Sequence, residues 1–223
     1  MKETKSNWSC VTENLMNNVP EIDLGRYAAF WFHQTPRRVL HCMSYYKFAS
    51  KLIGKGKRVL DVGCNEGLGT FLIGKECGFA KGVDFDEEAI VQAQKNFTEP
   101  FVEFEVGDFL QSEESATWDA VVNFDVIEHI LPEHSHDFLK GIAHCLTPEG
   151  LCVIGTPSKI SQDFASEVSK KGHINIYTHD RLEKEMREHF EFVFMFAAND
   201  ELIHTGYLPL AHYFITVGCK KKS

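Results

Sequence analysis

The chain has 223 residues and a formal net charge of −9 at pH 7, and 43% of its residues are hydrophobic. This length suits a single domain with a sizeable core. The acidic balance excludes a nucleic-acid backbone as the main partner, because binding to phosphates needs clustered lysine and arginine. No apolar run approaches membrane-spanning length. The predicted partner is therefore a small molecule, with no role for nucleic acid or membrane.

The seven cysteines form no C-x-x-C pair, and the first residues, MKETKSNWSC, contain no apolar stretch of the secretory type. An odd number of scattered cysteines favours reduced thiols over disulfides or structural zinc. We therefore expect a cytoplasmic protein, either a monomer or a homodimer.

Strand-like runs alternate with amphipathic helical patterns along the chain, which predicts an α/β fold. Residues 1–35 are interpreted as an N-terminal extension and residues 36–223 as the main domain, beginning with a helix over 36–53 that covers the mouth of the sheet. Seven strands are predicted, at 58–63, 80–85, 101–107, 119–124, 151–156, 191–198 and 211–219.

Three further helices separate these strands. Asp86 is placed as the N-cap of one, and Thr178 as the N-cap of another that ends near Phe190. A third helix, between these two in the chain, runs from about Phe138 to Leu146 and ends at the turn TPEG. No helical pattern separates the last two strands, so they are expected to be antiparallel, following five parallel strands.

The strongest local signal is the stretch VLDVGCNEGLGT, in which a buried strand ends at Asp61 and a glycine-rich turn begins at Gly63. A dinucleotide fingerprint would need a glycine where Asn65 stands, so a nicotinamide-dependent dehydrogenase is disfavoured. The pattern is instead D-x-G-x-x-x-G, with Gly67 opening a helix. A carboxylate at Asp61 suits a cationic amino group better than a pyrophosphate.

Acidic residues also end the next two strands, Asp84 in GVDFD and Asp108 in VGDF. A carboxylate at the end of the second strand commonly binds ribose hydroxyls in nucleotide-binding α/β folds. Asp108 and the following Phe109 are suited to the amino group and face of an adenine. Three acidic strand ends at one edge of the sheet predict a nucleoside-containing cofactor.

These motifs, together with WDAVVNFDVIEHI and HCLTPEGLCVIGTP, resemble class I S-adenosylmethionine-dependent methyltransferases over residues 36–219. The resemblance is nearest to the ubiquinone-biosynthesis type of small-molecule O-methyltransferase. It implies a Rossmann-like, seven-stranded sheet with helices on both faces, an antiparallel final strand, and S-adenosylmethionine as cofactor. The cofactor-binding residues it implies are Asp61, Gly63, Asn65, Gly67, Asp84, Phe85, Asp108, Phe109, Asn123 and Phe124.

After the fourth strand come Asp125, Glu128 and His129, which would share one face of a helix. They have three interpretations. In the first, His129 and Glu128 orient the loop and contact the cofactor by hydrogen bonds, while Asp125 caps the helix. In the second, His129 acts as a general base oriented by a carboxylate. In the third, all three bind a divalent metal, as the acidic-x-x-Glu-His pattern of the resemblance suggests. Because Asp125 is one carbon shorter than Glu, and this ligand set suits no metal well, no required metal is predicted.

The acceptor side of the site is predicted from loops at the same edge, with His173 after the fifth strand and His204 and Tyr207 in the last loop. The aromatic N-terminal segment is either a packed cover, through Phe30, Trp31 and Tyr45, or a lid. In the lid interpretation Tyr27 and Tyr46 contact substrate, while Arg38 binds the methionine carboxylate or an anionic substrate.

The predicted reaction is methyl transfer to a hydroxyl of a small polar molecule, such as a sugar, a nucleotide-sugar or a phenol. Histidine and acidic groups beside the transfer point favour oxygen, because a hydroxyl must lose its proton. Methylation of an amine, or a non-catalytic cofactor-binding module of the same fold, are the alternatives.

Overall fold

The computed structural model describes residues 2–16, 19–111 and 116–222. Its strands are β1 (Lys57–Val62), β2 (Gly78–Asp84), β3 (Val102–Val106), β4 (Trp118–Phe124), β5 (Leu146–Pro157), β6 (Phe190–Ala198), β7 (Ile203–His204) and β8 (Tyr213–Lys221). Its helices are α1 (Lys2–Leu15), α2 (Gly25–Gln34), α3 (Arg37–Ile53), α4 (Leu68–Cys77), α5 (Glu87–Asn96), α6 (Ser135–Cys145), α7 (Glu167–Gly172) and α8 (His179–His189). Among the residues described, no helix is both long and apolar enough to span a membrane.

The strands form one mixed sheet in the order β3-β2-β1-β4-β5-β8-β6-β7. β1 to β5 pair in parallel, and β8 is antiparallel to both β5 and β6, so the predicted antiparallel final pair is confirmed. The expectation of seven strands is wrong. Within the last loop, Ile203 and His204 pair with Ala198 and Ala197 as an eighth strand, and two residues at a sheet edge are too few to show a strand period.

The predicted helix boundaries agree closely where a local cap defines them. The Asp86 carboxylate accepts hydrogen bonds from the backbone N–H groups of Glu88 and Ala89, and Thr178 accepts from that of Arg181. The expected TPEG turn is wrong. The structure has these residues inside β5, where the pairing with β4 shifts between Trp118 opposite Leu146 and Ala120 opposite Leu151, so they form an irregularity in a longer strand.

Both faces of the sheet are covered, because alternate residues of each strand point to opposite sides. On one side Val59, Val122 and Val153 pack with α3 and α4. On the other side Leu60 and Val121 pack with residues of α6 and α8. The chain reverses its direction of strand addition between β1 and β4. Ligands bind at such a reversal, outside the carboxyl ends of the strands.

Candidate cofactor and active site

A cavity of about 910 Å³ lies at the carboxyl ends of β1, β2, β3 and β4. Its walls come from the loops after these strands, from α2 and α3, and from α7. This volume is large enough for a drug-sized ligand. The cavity therefore occupies the place where the sheet topology predicts a ligand.

The glycine-rich turn after β1 forms the floor of the cavity. Gly63 and Gly67 both have φ of +79°, a left-handed conformation that strongly favours glycine. A Cβ atom at Gly63 would overlap a methyl group of Val126, and one at Gly67 would overlap the Phe104 ring. Asn65 is also left-handed, with φ of +51°, which asparagine tolerates better than most residues. The turn thus presents bare backbone to the cavity.

The acidic ends of β2 and β3 lie in the cavity wall, as the sequence predicts. Asp84 accepts hydrogen bonds from the backbone N–H groups of Asn65 (2.9 Å) and Asp86 (3.0 Å), so its carboxylate is fixed in orientation. Each carboxylate oxygen retains a lone pair for a further donor. Asp108, held by the Leu110 N–H at 3.0 Å, lines the cavity close to the predicted adenine residue Phe109.

The rings of Phe85, Phe109 and Phe124 also line the cavity. Phe85 is 81% exposed and therefore free to cover a flat ligand, whereas Phe109 is held edge-on against Phe138, with ring centroids 5.5 Å apart. Phe124 lies edge-on to Tyr46 at 4.9 Å. One exposed and two supported aromatic rings thus surround the space.

Two predicted cofactor residues, Asp61 and Asn123, lie behind the cavity wall and do not line it. Asp61 is fully buried and accepts hydrogen bonds from the hydroxyls of Thr70 (2.6 Å) and Tyr46 (3.3 Å). Burial raises the pKa of Asp61 to about 7. Asn123 is also fully buried, and its amide donates to the Val62 carbonyl at 2.9 Å. Both side chains support the wall, because they belong to central strands covered on both faces.

Arg38 lies in the cavity wall but is bound to the protein itself. Its guanidinium lies 3.2 Å from the Asp125 carboxylate and 5.0 Å from the centroid of the Trp31 ring. The Asp125 charge raises the pKa of Arg38 further above its usual range. An anionic ligand would have to compete with Asp125 for this arginine.

The segment from Asp125 to His129 does not continue as an α-helix, so the predicted shared helical face is wrong. Asp125 has φ of +57°, and a single 3₁₀ turn follows over Ile127–His129. The Asp125 N–H donates to the Gly155 carbonyl at 3.1 Å, which extends the sheet for one more residue. A carboxylate at a left-handed position marks a conformation imposed by the surrounding structure.

Glu128 is the most buried carboxylate in the described cavity wall, with 1% of its surface exposed. Its Oε2 accepts from the Thr156 hydroxyl at 3.0 Å, and its Oε1 has no hydrogen-bond partner among the described residues. Burial, and then the neighbouring Asp125, raise the pKa of Glu128 to about 8. At neutral pH this side chain is therefore mainly a neutral acid.

His129 and His173 lie side by side in the cavity wall, with ring centroids 5.1 Å apart. The Nδ1 of His129 lies 2.8 Å from the Gly172 carbonyl, and the Nδ1 of His173 lies 3.1 Å from the Gln162 Oε1. The Gly172 carbonyl can only accept, so in the neutral His129 ring Nδ1 carries the hydrogen and Nε2 the lone pair. Burial, and then His129, lower the pKa of His173 to about 4.

The metal set considered from sequence is not the set that the structure brings together. Among the described residues, one ligand atom each of Glu128, His129 and His173 lie within 4.8 Å of one another, and Asp125 is not in this group. Asp125 is turned instead toward Arg38, and its Oδ2 also lies 3.9 Å from the Cys42 sulfur.

The acceptor-side predictions divide into two groups. Tyr27 and Tyr46 line the cavity together with His173. Tyr27 donates through its hydroxyl to Asp86 at 2.8 Å, whereas Tyr46 is buried and bound to Asp61. His204 and Tyr207 do not line the cavity, so their prediction as residues of this pocket is wrong. The loop that carries them follows β6, and β6 and β7 are the outermost strands on the side of the sheet away from β1 to β3.

One residue that sequence reasoning missed is Glu66, which is 4% exposed and lines the cavity. Its carboxylate accepts from the Tyr27 N–H at 2.6 Å, at the N-terminus of α2. A negative charge is favourable at that end of a helix. Its position between Asn65 and Gly67 in the cofactor turn is the signal that could have identified it.

Comparison with known proteins identifies the family of this chain. Residues 31–192 match the family model described as a methyltransferase domain. A probable S-adenosylmethionine-dependent methyltransferase of Mycobacterium tuberculosis is 30% identical over 144 residues, 64% of this chain and 47% of the relative. A ubiquinone biosynthesis O-methyltransferase of Maricaulis maris is 31% identical over 115 residues, 50% of this chain and 44% of that protein. The chain spans about half the length of these relatives.

The fold is also similar to that of a solved methyltransferase structure. A crystal structure from Thermotoga maritima, described as an S-adenosylmethionine-dependent methyltransferase and possible histamine N-methyltransferase, matches with a TM-score of 0.64 and 16% identity. The match covers 95% of this chain and 99% of that one. The fold and the site thus define a Rossmann-like methyltransferase domain. The chain belongs to the methyltransferase-domain family whose members use S-adenosylmethionine, as the sequence motifs predict.

The described residues fit this cofactor. The backbone of Gly63 and Gly67 lines the cavity, and Asp84 has lone pairs for two hydroxyl donors. Phe85 and Asp108 offer a flat surface and an acceptor beside it. These groups lie at or after the ends of β1, β2 and β3, on one side of the cavity. The rest of the wall includes Glu128 and His129 from the loop after β4, His173 from the end of α7, and Arg38 from the start of α3.

Proposed function

We propose that this chain transfers a methyl group to a hydroxyl oxygen of a small polar molecule, such as a sugar, a nucleotide-sugar or a phenol. Bound S-adenosylmethionine would supply a methyl group already activated on a sulfonium. The protein then has to hold the acceptor, exclude water and accept a proton. The observation that carries the proposal is the contact between the His129 Nδ1 and the Gly172 carbonyl at 2.8 Å, in the cavity wall.

His129 is the proposed general base. Its Nδ1–H is fixed by the Gly172 carbonyl, so the neutral ring keeps Nε2 as a hydrogen-bond acceptor. Histidine is the side chain most often used as a general base for removing a hydroxyl proton near neutral pH. His173, whose pKa is lowered to about 4, stays neutral and is assigned to orienting the acceptor.

Glu128 and Asp125 are proposed to take different roles because their surroundings differ. Glu128 is buried and mainly protonated at neutral pH, so it would donate a hydrogen bond to the acceptor rather than remove its proton. Asp125 is bound to Arg38 and would fix the wall between them. In this assignment Asp125 positions its neighbours and does not act on the substrate.

We also propose that α2 is a lid over the acceptor side, with residues 1–35 forming an extension to the domain that begins at residue 36. Phe30 and Trp31 line the cavity, while no residue of α2 is fully buried. Hydrogen bonds from Tyr27 to Glu66 and Asp86 hold the N-terminus of the helix, and its second half contacts α3 through the Trp31 ring and Arg38. A helix held by a few contacts and loosely packed along its length is suited to opening.

Methylation of an amine is the second candidate, and one observation favours it. Asp125 Oδ1 and Glu128 Oε1 are buried and have no hydrogen-bond partner among the described residues. Asp125 Oδ1 would accept from an N–H group of an amine, which is nucleophilic once it has lost its proton and then needs no further base. A non-catalytic module remains the third interpretation, and it would bind the cofactor without turnover.

The test is a screen of small hydroxyl and amine compounds for methyl transfer, followed by kinetics on the best acceptor. If the proposal is correct, a hydroxyl compound is methylated, and His129→Ala lowers kcat at saturating cofactor by about 10²–10⁴-fold. His144→Ala, an exposed histidine of α6, is the matched control and should leave kcat unchanged.

Several outcomes would contradict it. Turnover of amines alone, insensitive to His129→Ala, would replace it with the second candidate. Binding of S-adenosylmethionine with no turnover of any compound would favour the non-catalytic module. Loss of activity with a chelator, restored by a divalent ion, would show that the prediction of no required metal is wrong.

A further inference from the structure

A second group of possible metal ligands lies where α6 meets α8, and none of its members lines the cavity. His136 is in the first turn of α6, and Glu188 and His189 are the last two residues of α8. One ligand atom from each lies within 4.8 Å of the others. The His136 Nδ1 is 3.4 Å from the Glu188 Oε2, and the two imidazole centroids are 4.8 Å apart.

His189 is the unusual member of this group. Only 9% of its surface is exposed, and its Nε2 is buried without a hydrogen-bond partner among the residues described. A buried polar atom without a partner is unfavourable, because it has lost its hydrogen bond to water and gained none in return. The backbone around it is well held, since the His189 carbonyl accepts from the Lys222 N–H at 2.8 Å.

We propose that His136, Glu188 and His189 bind a divalent ion of the zinc type, which joins the start of α6 to the end of α8. Two imidazoles and one carboxylate are a usual protein ligand set for zinc, with a water molecule in the fourth position. Imidazole ligands select zinc, copper or nickel over magnesium and calcium, which prefer oxygen. The site is independent of the cofactor cavity and of the proposed reaction.

The surrounding charges set the expected strength of this site. Burial, and then His136, lower the pKa of His189, so its ring is neutral and ready to bind at neutral pH. Lys140 and Lys222 also lower this pKa, and their positive charges oppose a bound cation, whereas Glu188 favours it. The His136 and Glu188 side chains are 59% and 49% exposed, so an ion can enter and leave.

The test uses the full chain, stripped of metal, with Zn²⁺ binding measured by calorimetry and Co²⁺ binding by visible absorption. His136→Ala and Glu188→Gln remove ligands that are largely exposed, so both variants should fold, which circular dichroism checks. Loss of a residue that only hydrogen-bonds to a metal ligand weakens metal binding by about 10–100-fold. Loss of a ligand itself should therefore weaken Zn²⁺ binding by more than this. His144→Ala is the matched control on α6 and should bind like the unchanged chain.

His129→Ala distinguishes this site from the group in the cavity, where Glu128, His129 and His173 also lie close together. The proposal expects Zn²⁺ binding, and the increase in Tm that it causes, to persist unchanged in His129→Ala and to be strongly weakened in His136→Ala. It is overturned if the unchanged chain binds neither ion, if His136→Ala binds as the unchanged chain does, or if His129→Ala alone abolishes binding.

Discussion

Replacing Asp61 by Asn should remove a pH-dependent loss of stability. Asp61 is fully buried, and burial raises its pKa from 3.8 to about 7, although Thr70 and Tyr46 donate to it. The folded chain therefore holds a proton on Asp61 that the unfolded chain has released. Stability is greatest below about pH 4 and falls as the pH rises through the window up to about 7. At 1.36 kcal/mol per pKa unit, the difference corresponds to about 4 kcal/mol.

The measurement is urea unfolding of Asp61→Asn and of the unchanged chain, between about pH 4 and about pH 8, where the titration is nearly complete. The free energy of unfolding of the variant, relative to the unchanged chain, should rise by about 4 kcal/mol across this range. Glu128 contributes a loss of the same sign to both proteins and cancels in the comparison. Asp163→Asn, at an exposed carboxylate, is the control and should follow the unchanged chain. Parallel curves for Asp61→Asn and the unchanged chain would refute the reasoning.

Three further predictions concern the cofactor turn and the lid. Gly63→Ala should weaken S-adenosylmethionine binding in calorimetry. Adding Val126→Ala removes the overlap with the new Cβ atom but leaves about 1–2 kcal/mol of strain from the left-handed backbone at position 63. Full recovery of binding in the double variant would therefore contradict the claim that this backbone conformation requires glycine. Asp84→Asn should weaken the same binding by about 1.5–3 kcal/mol, the value of a hydrogen bond to a charged group, and equal affinity would remove Asp84 from the site. Glu66→Ala should speed hydrogen exchange in α2 but not in α3, and unchanged exchange would show that Glu66 does not hold the lid.

The sequence determined the features that depend on neighbouring residues. Asp86 and Thr178 cap their helices because a short side-chain acceptor can reach N–H groups two or three residues further on. Parallel strands separated by helices bring their carboxyl ends to one edge, so the placement of Asp84 and Asp108 in one cavity followed from their position alone. These features predicted the sheet type, and the resemblance of the motifs to methyltransferases predicted the family and the cofactor.

The tertiary structure alone decided which of these polar side chains face the cavity. Asp61 and Asn123 lie one residue before the ends of the central strands β1 and β4, yet both are buried behind the wall, because a strand covered on both faces has no solvent side. Asp125 turns toward Arg38 because its backbone continues the sheet to Gly155 and then enters a left-handed conformation. No local pattern in the sequence indicates that conformation.

Contacts between segments distant in the chain could not be predicted from the sequence either. His129 meets His173 because α7 returns over the end of β4, and Glu66 meets α2 because the N-terminal segment folds back onto the cofactor turn. The sequence by itself determined which residue types stand at the sheet edge, since helical and strand periods are local. Their partners, and hence their protonation states, were decided by packing between segments far apart in the chain, because burial and neighbouring charge set each pKa.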